Sequence, residues 1–181
     1  MIRKGLQFAL ITLLAYLLQV TVAQYISIAD VAPNIAMALI AVVTVAMGRK
    51  YTFFMSLSIG YLLEIMLPSL DYINLILYPV CAMLGALVFS DKSERKLEEE
   101  RSLGKKGGNW PAHLRTPLCA ALSVGVFEAV HLLYIYLSGV TLDAGHYGRA
   151  LLDVAYTVAL AGTLQFPIRW WLGTYKLKKA R

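Results

Sequence analysis

The sequence predicts an all-α protein: a polytopic membrane helix bundle of about six transmembrane helices, N-in and C-in. Three observations carry this. Of 181 residues, 59% are hydrophobic and only 15% are charged, whereas a soluble domain usually carries about a quarter charged residues. The apolar residues fall in blocks of roughly 17 to 25, the length a helix needs to cross a hydrocarbon core of about 30 Å. Bases and acids, finally, segregate to alternate junctions between the blocks. Inside lipid only helices and closed barrels satisfy their own backbone. The blocks are longer than barrel strands and show no two-residue alternation, so helices are predicted, and residues 1–181 read as a single integral membrane domain.

The first block, about 5–28, follows Met1-Ile2-Arg3-Lys4. It has the look of a signal peptide, and Thr21-Val22-Ala23 even offers a small-residue cleavage site. It is longer than an ordinary signal core, however, and its removal would upset the charge partition, so it reads as a retained span. The second, 31–48, carries Pro33 near its first turn, where proline is tolerated, and is followed by Arg49 and Lys50. The third, 51–67, is short and ends at Pro68. The fourth, 72–90, contains Pro79, which should kink or locally unwind it. After a polar connector, 91–116, come the fifth span, 117–140, and the sixth, 150–175. The chain closes on Lys176-Leu177-Lys178-Lys179-Ala180-Arg181.

The positive-inside rule then assigns sides. Arg3 and Lys4, Arg49 and Lys50, the bases between Lys92 and Arg115, and the C-terminal cluster share one side when every block spans. Asp30, Asp71 and Asp143 take the other, with Arg149 as their nearby base. Dropping one span scrambles this partition. The net charge of +6 therefore follows topology and does not point to nucleic acid. Cys81 and Cys119 lie inside apolar blocks and read as free, packed thiols, not as a disulfide framework. In the connector, 91–103 is predicted to prolong the fourth span as a helix, with Arg95–Glu99 and Lys96–Glu100 as four-apart pairs. Gly104 to Asn109 then breaks it. This is a solvated linker, or else a docking element for a cytoplasmic partner or a lipid-surface contact through Lys105, Lys106 and Trp110.

Ionisable residues inside spans need an account. Glu64 lies near the outer end of a short span. Arg149 and Asp153, four apart, can pair on one helix face at the outer interface. Arg169 can snorkel at the inner end. Glu128 and His131 lie deeper, Glu128 about 16 Å from Pro117 at 1.5 Å per residue. Three apart, they share a face and can hydrogen-bond each other or address one cavity. A buried pair tying helices together is the plain reading, a proton or ion relay the sharper one. A single Glu-x-x-His does not make a di-iron site, which needs two copies and further glutamates. Ser56 with Gly60, Ala121 with Gly125, and Ala155 with Ala159 are small pairs that let helices approach. Gln19, Gln24, Asn34 and Asn74 read as interhelical hydrogen bonders or interfacial residues, not as a ligand site. No phosphate loop, nucleophile triad, zinc motif or cysteine cluster occurs, so no catalytic, cofactor or metal residue is proposed.

Several of these residues also carry a family resemblance. Leu18-Gln19 in the first span, Pro33-Asn34 opening the second and Gly48-Arg49-Lys50 closing it are such positions. Ser56-Leu57-Ser58-Ile59-Gly60-Tyr61-Leu62-Leu63-Glu64 in the third span is another. Together they resemble the rod shape-determining protein MreD family, over roughly residues 15 to 67. The usual first glycine of that third-span motif is Ser56 here, and its aspartate is Glu64. The resemblance implies a non-catalytic, multi-pass protein of the bacterial cytoplasmic membrane, within the cell-elongation machinery that organises peptidoglycan synthesis and cell shape. It implies docking to the single-span scaffold protein MreC, and through it association with MreB and with RodA and its transpeptidase. Two other classes compete. A substrate-binding membrane component of an ECF-type vitamin transporter should enclose a cavity near the outer face, which Glu64, Asp153 and Arg149 would line; the first span shows no convincing Ala-x-x-x-Ala docking motif. A small secondary transporter would use Glu128 and His131 in proton coupling.

Overall fold

The structure, a computed structural model, describes residues 2–66, 72–90, 102 and 110–173. Among them the regular elements are helices: α1 (Ile2–Leu17), prolonged by a π-helical turn (Leu18–Val22), α2 (Ile35–Met47), α3 (Arg49–Met66), α4 (Ile73–Phe89), α5 (Ala112–Leu137) and α6 (Ala144–Trp171). Three stretches, Lys4–Val22, Ala112–Leu137 and Ala144–Trp171, are long and apolar enough to cross a membrane. Ile35–Met47 and Ile73–Phe89 are apolar but shorter, and α3 carries Arg49, Lys50 and Glu64 near its ends.

α2 is the axis of the bundle. A helix apolar all round belongs inside other helices, and Ile-Ala-Met-Ala-Leu-Ile-Ala-Val-Val-Thr-Val-Ala-Met has Thr44 as its one hydroxyl. Every residue from Ile35 to Val45 is buried, and α2 packs against all five of the other helices. Thr44 donates to the Ile40 carbonyl at 2.8 Å and accepts from the Thr52 hydroxyl of α3 at 3.0 Å. The outer helices turn large apolar side chains outwards, among them Leu10 and Leu14 of α1, Leu84 and Val88 of α4, and Leu151 of α6. An aliphatic exterior around a closed core suits lipid and does not suit water.

Two glycines set the tightest approaches. A Cβ on Gly60 would lie 2.7 Å from the Asn74 carbonyl oxygen of α4. A Cβ on Gly85 would collide with the Ser123 hydroxyl and lie 3.1 Å from Cys119 Sγ on α5. Of the small pairs expected from sequence, Ser56 and Gly60 are buried at such an interface. Gly125 faces open space, and Ala155 and Ala159 are exposed. Cys81 and Cys119 are free and buried.

The helix ends differ from the sequence expectation where prolines guided it. Pro33 stands outside α2, and Asn34 is the cap. α4 runs through Pro79 as one helix. It stops at Phe89, because Ser90 is extended; the helical prolongation over 91–103 lies outside the described residues except for Ser102. So do 104–109, Pro68, Asp71 and the basic tail. α5 begins at Ala112, five residues before the expected start, with Pro117 inside it. A proline within a helix leaves the carbonyl four residues back without its donor. For Pro117 that carbonyl belongs to His113, and Gln165 Nε2 of α6 donates to it at 3.3 Å.

Candidate functional site

The chain between the π-helical turn and α2 folds back on itself. Ile28 and Val31 exchange both backbone hydrogen bonds at 3.0 Å. Ala29 and Asp30 between them have φ of 53° and 61°. Positive φ at both central residues is the type I′ hairpin turn, a place for Asn and Gly. Aspartate tolerates that conformation, whereas the alanine holds strain of about 1–2 kcal/mol. The Tyr156 hydroxyl donates to the Ile26 carbonyl at 2.7 Å and ties this turn to α6.

The N-terminus of α2 is then built from three sides. Asn34 Oδ1 caps it, accepting from Met37 N at 3.0 Å and from the Tyr78 hydroxyl of α4 at 3.3 Å. Asn34 N donates to Thr157 Oγ1 at 2.9 Å and to Asp153 Oδ1 at 3.2 Å, both on α6. Thr157 in turn donates to Asp153 Oδ1 at 3.0 Å. Gln19 Oε1, from the π-helical turn, accepts from Ala36 N at 2.9 Å. The first turn of a helix favours negative charge, which accounts for a carboxyl at Asp153 although that residue is only 7% exposed.

Beside this joint lies a cavity of about 370 Å³, where α5 ends and α6 begins. Its titratable lining is Asp30 from the turn, Glu128 and His131 from α5, and His146, Arg149 and Asp153 from α6. Glu128, His131, Leu132 and Ile135 present one face of α5 to it, at offsets 0, 3, 4 and 7, the stripe a helix turns to one side. The carboxyls of Glu128 on α5 and Asp153 on α6 thus line one cavity together. The His131 ring packs edge-on to Phe127 at 6.1 Å, and Phe127 edge-on to Tyr78 at 5.3 Å. His146 closes a capping box with Asp143, its Nδ1 2.6 Å from Asp143 Oδ1. Hydrogen bonds from the His146 backbone and ring hold the Asp143 carboxyl below the ordinary aspartate value. Arg149 is exposed at the cavity and, among the described residues, makes no hydrogen bond or ion pair.

The sequence-derived residues therefore part company. Arg149 and Asp153, expected as a pair at the interface, are not paired: Asp153 turns to the start of α2, and Arg149 faces the cavity. Glu128 and His131 make no hydrogen bond to each other and line that same cavity. Glu64 lies elsewhere. Its carboxylate accepts from Tyr72 N and Asn74 N at 3.0 Å each, capping α4 where Tyr72 takes φ of 59°. Sequence reasoning did not single out His146 or Thr157, nor Asp30 as a lining residue. A signal existed for Thr157, four residues after Asp153 and so on its helix face. None existed for a long-range turn bringing Asp30 in.

The opposite end of α4 also uses charge. Arg49 Nε donates to Ser90 Oγ at 2.8 Å and to the Ala86 carbonyl at 3.3 Å, and its Nη2 to the Leu87 carbonyl at 3.1 Å. Arg115, buried, donates to the Phe89 carbonyl at 3.3 Å. Cations at a helix C-terminus complement its dipole.

Among the described residues no group of three or more His, Cys, Asp or Glu is placed to hold a metal ion. Comparison with protein-family models, characterised proteins and solved structures gives no match for this chain.

Proposed function

We propose that this chain is a six-span protein of the bacterial cytoplasmic membrane, N-in and C-in. On this reading it acts without chemistry of its own as an MreD-type component of the cell-elongation machinery, docking a single-span MreC-like scaffold protein. The observation that supports the reading is what the motif residues do. Gln19 and Asn34 hold the N-terminus of α2, Gly60 admits α4, and Glu64 caps α4. Pro33 stands just before the Asn34 cap. These are joints of a rigid frame. The orientation rests on charge: Arg49 and Arg115 lie at the end assigned to the cytoplasm, Asp30 and Asp143 at the other.

Depletion in a rod-shaped host is expected to give rounded cells, and the purified protein to carry a single-span partner. Ser27→Cys and Ala144→Cys should react with a membrane-impermeant maleimide from outside, and Lys105→Cys should not. Rods of normal shape without a partner would remove the scaffold reading, and reversed labelling the topology.

The cavity favours a second reading, a substrate-binding membrane component of the ECF transporter type. Asp153 and Arg149 line it and Glu64 does not. A tightly bound vitamin in the purified protein, with normal cell shape, would decide for it.

A further inference from the structure

We infer that the cavity between α5, α6 and the Ala29–Asp30 turn binds a small zwitterion, with its ammonium on Glu128 and Asp153 and its anionic group on Arg149. The inference deepens the binding-component reading and is independent of the scaffold reading. About 370 Å³ is at the small end of ligand pockets, room for an amino acid or a headgroup of similar size. The charges inside are ordered. Asp153 and Arg149 are one turn apart on α6, about 6 Å along the axis at 1.5 Å per residue, with the carboxyls deeper in the bundle and the guanidinium nearer the start of α6. Glu128 and Asp153 line the cavity together, and among the described residues no basic side chain forms an ion pair with either. An ammonium, with three donors, supplies what that pair lacks, since each carboxyl keeps lone pairs to offer. Arg149 presents a fork suited to a carboxylate or phosphate and spends it on no protein group. A simple anion would meet the acidic floor, and a simple amine would leave Arg149 idle. The strained turn at the rim fits as well, because backbone strain persists where the surroundings over-determine it, often at ligand clamps.

Two sources share this chemistry, a soluble amino acid and the headgroup of phosphatidylethanolamine. The test uses the full chain in nanodiscs of phosphatidylcholine, whose trimethylammonium has no N–H, titrated with the twenty L-amino acids and with phosphorylethanolamine. Ethylamine and acetate serve as single-charge controls. A parallel preparation with phosphatidylethanolamine is read for retained lipid by native mass spectrometry. The expected result is saturable binding of an amino acid, or selective retention of phosphatidylethanolamine over phosphatidylcholine, weakened at least tenfold by Arg149→Gln and by Glu128→Gln. The first outcome assigns a soluble ligand and the second a lipid. Binding of neither, equal binding of the single-charge controls, or an Arg149→Gln protein that binds like the parent overturns the inference. Arg149 is exposed and unbonded, so its replacement keeps the test decisive even where Glu128→Gln fails to assemble. Rounded cells on depletion together with no zwitterion binding would leave the scaffold reading standing and remove this one.

Discussion

The two ends of the bundle treat charge differently. At the end where α4 stops, Arg49 and Arg115 are consumed by the carbonyls of residues 86, 87 and 89 and the Ser90 hydroxyl. At the end where α6 starts, Glu128, His131 and Arg149 face a cavity, and Arg149 has no partner among the described residues. Both ends carry residues that are costly to bury in a membrane protein. At the first end the cost is met by completing a helix terminus, which is a structural use. At the second, Asp143, Asp153 and Glu64 complete helix starts, while Arg149 has no partner among the described residues.

This contrast can be broken experimentally. The largest effect is expected at the joint beside the cavity. Asn34→Leu removes the α2 cap and leaves the Tyr78 hydroxyl without its acceptor. A lost cap costs about 1 kcal/mol and an orphaned buried polar group about 1–3 kcal/mol, so a loss of about 2–4 kcal/mol in unfolding free energy should appear by denaturation in detergent. Next comes the paired test of the two arginines. Arg115→Met should cost about 1.5–3 kcal/mol, the range of hydrogen bonds made by charged groups, whereas Arg149→Met should stay within about 0.5 kcal/mol as an exposed change does. Equal losses would erase the distinction between the ends. Smaller still, Ala29→Gly should stabilise by about 1 kcal/mol through relief of positive φ, seen as a higher thermal midpoint; a lower midpoint would mean that the turn is held by contacts to the alanine methyl. The smallest effect concerns Asp143. Its folded value lies below the unfolded one, so its contribution is present above the ordinary aspartate value of about 3.9 and is lost as pH falls through the folded value. Hydrogen-exchange protection factors at the first turn of α6 should fall at that acid limit in the parent protein, and be low at every pH in Asp143→Ala, which has no cap.

The helices were legible because each apolar block is a local property of the chain. What escaped was every feature completed by a distant residue. Pro117 reads as a helix start until Gln165, 52 residues after His113, supplies that residue's carbonyl with the missing donor. Arg149 and Asp153 read as a pair because four-residue spacing reveals neighbours on the same helix and no others. The actual partner of Asp153, Asn34 N, is 119 residues away. Glu128 and His131 stood out because polar side chains deep in an apolar block are conspicuous by themselves. The walls opposite them, Asp30 and His146, come from a turn and a helix start that carry no such mark. Glu64 had a local explanation from depth, yet its use is to cap α4 across a connection.

The burial of α2 also dictates an order of assembly. A 13-residue helix covers only about 20 Å at 1.5 Å per residue, and it is enclosed by helices that emerge before and after it. Its opening amide at Asn34 is answered by Asp153 and Thr157, which the ribosome makes more than a hundred residues later. Until then that end of α2 has no partner from α6, and an unanswered backbone group in lipid costs several kcal/mol. A helix synthesised long after α2 is thus the one that latches it, and chains arrested before α6 should be left to membrane chaperones and proteases.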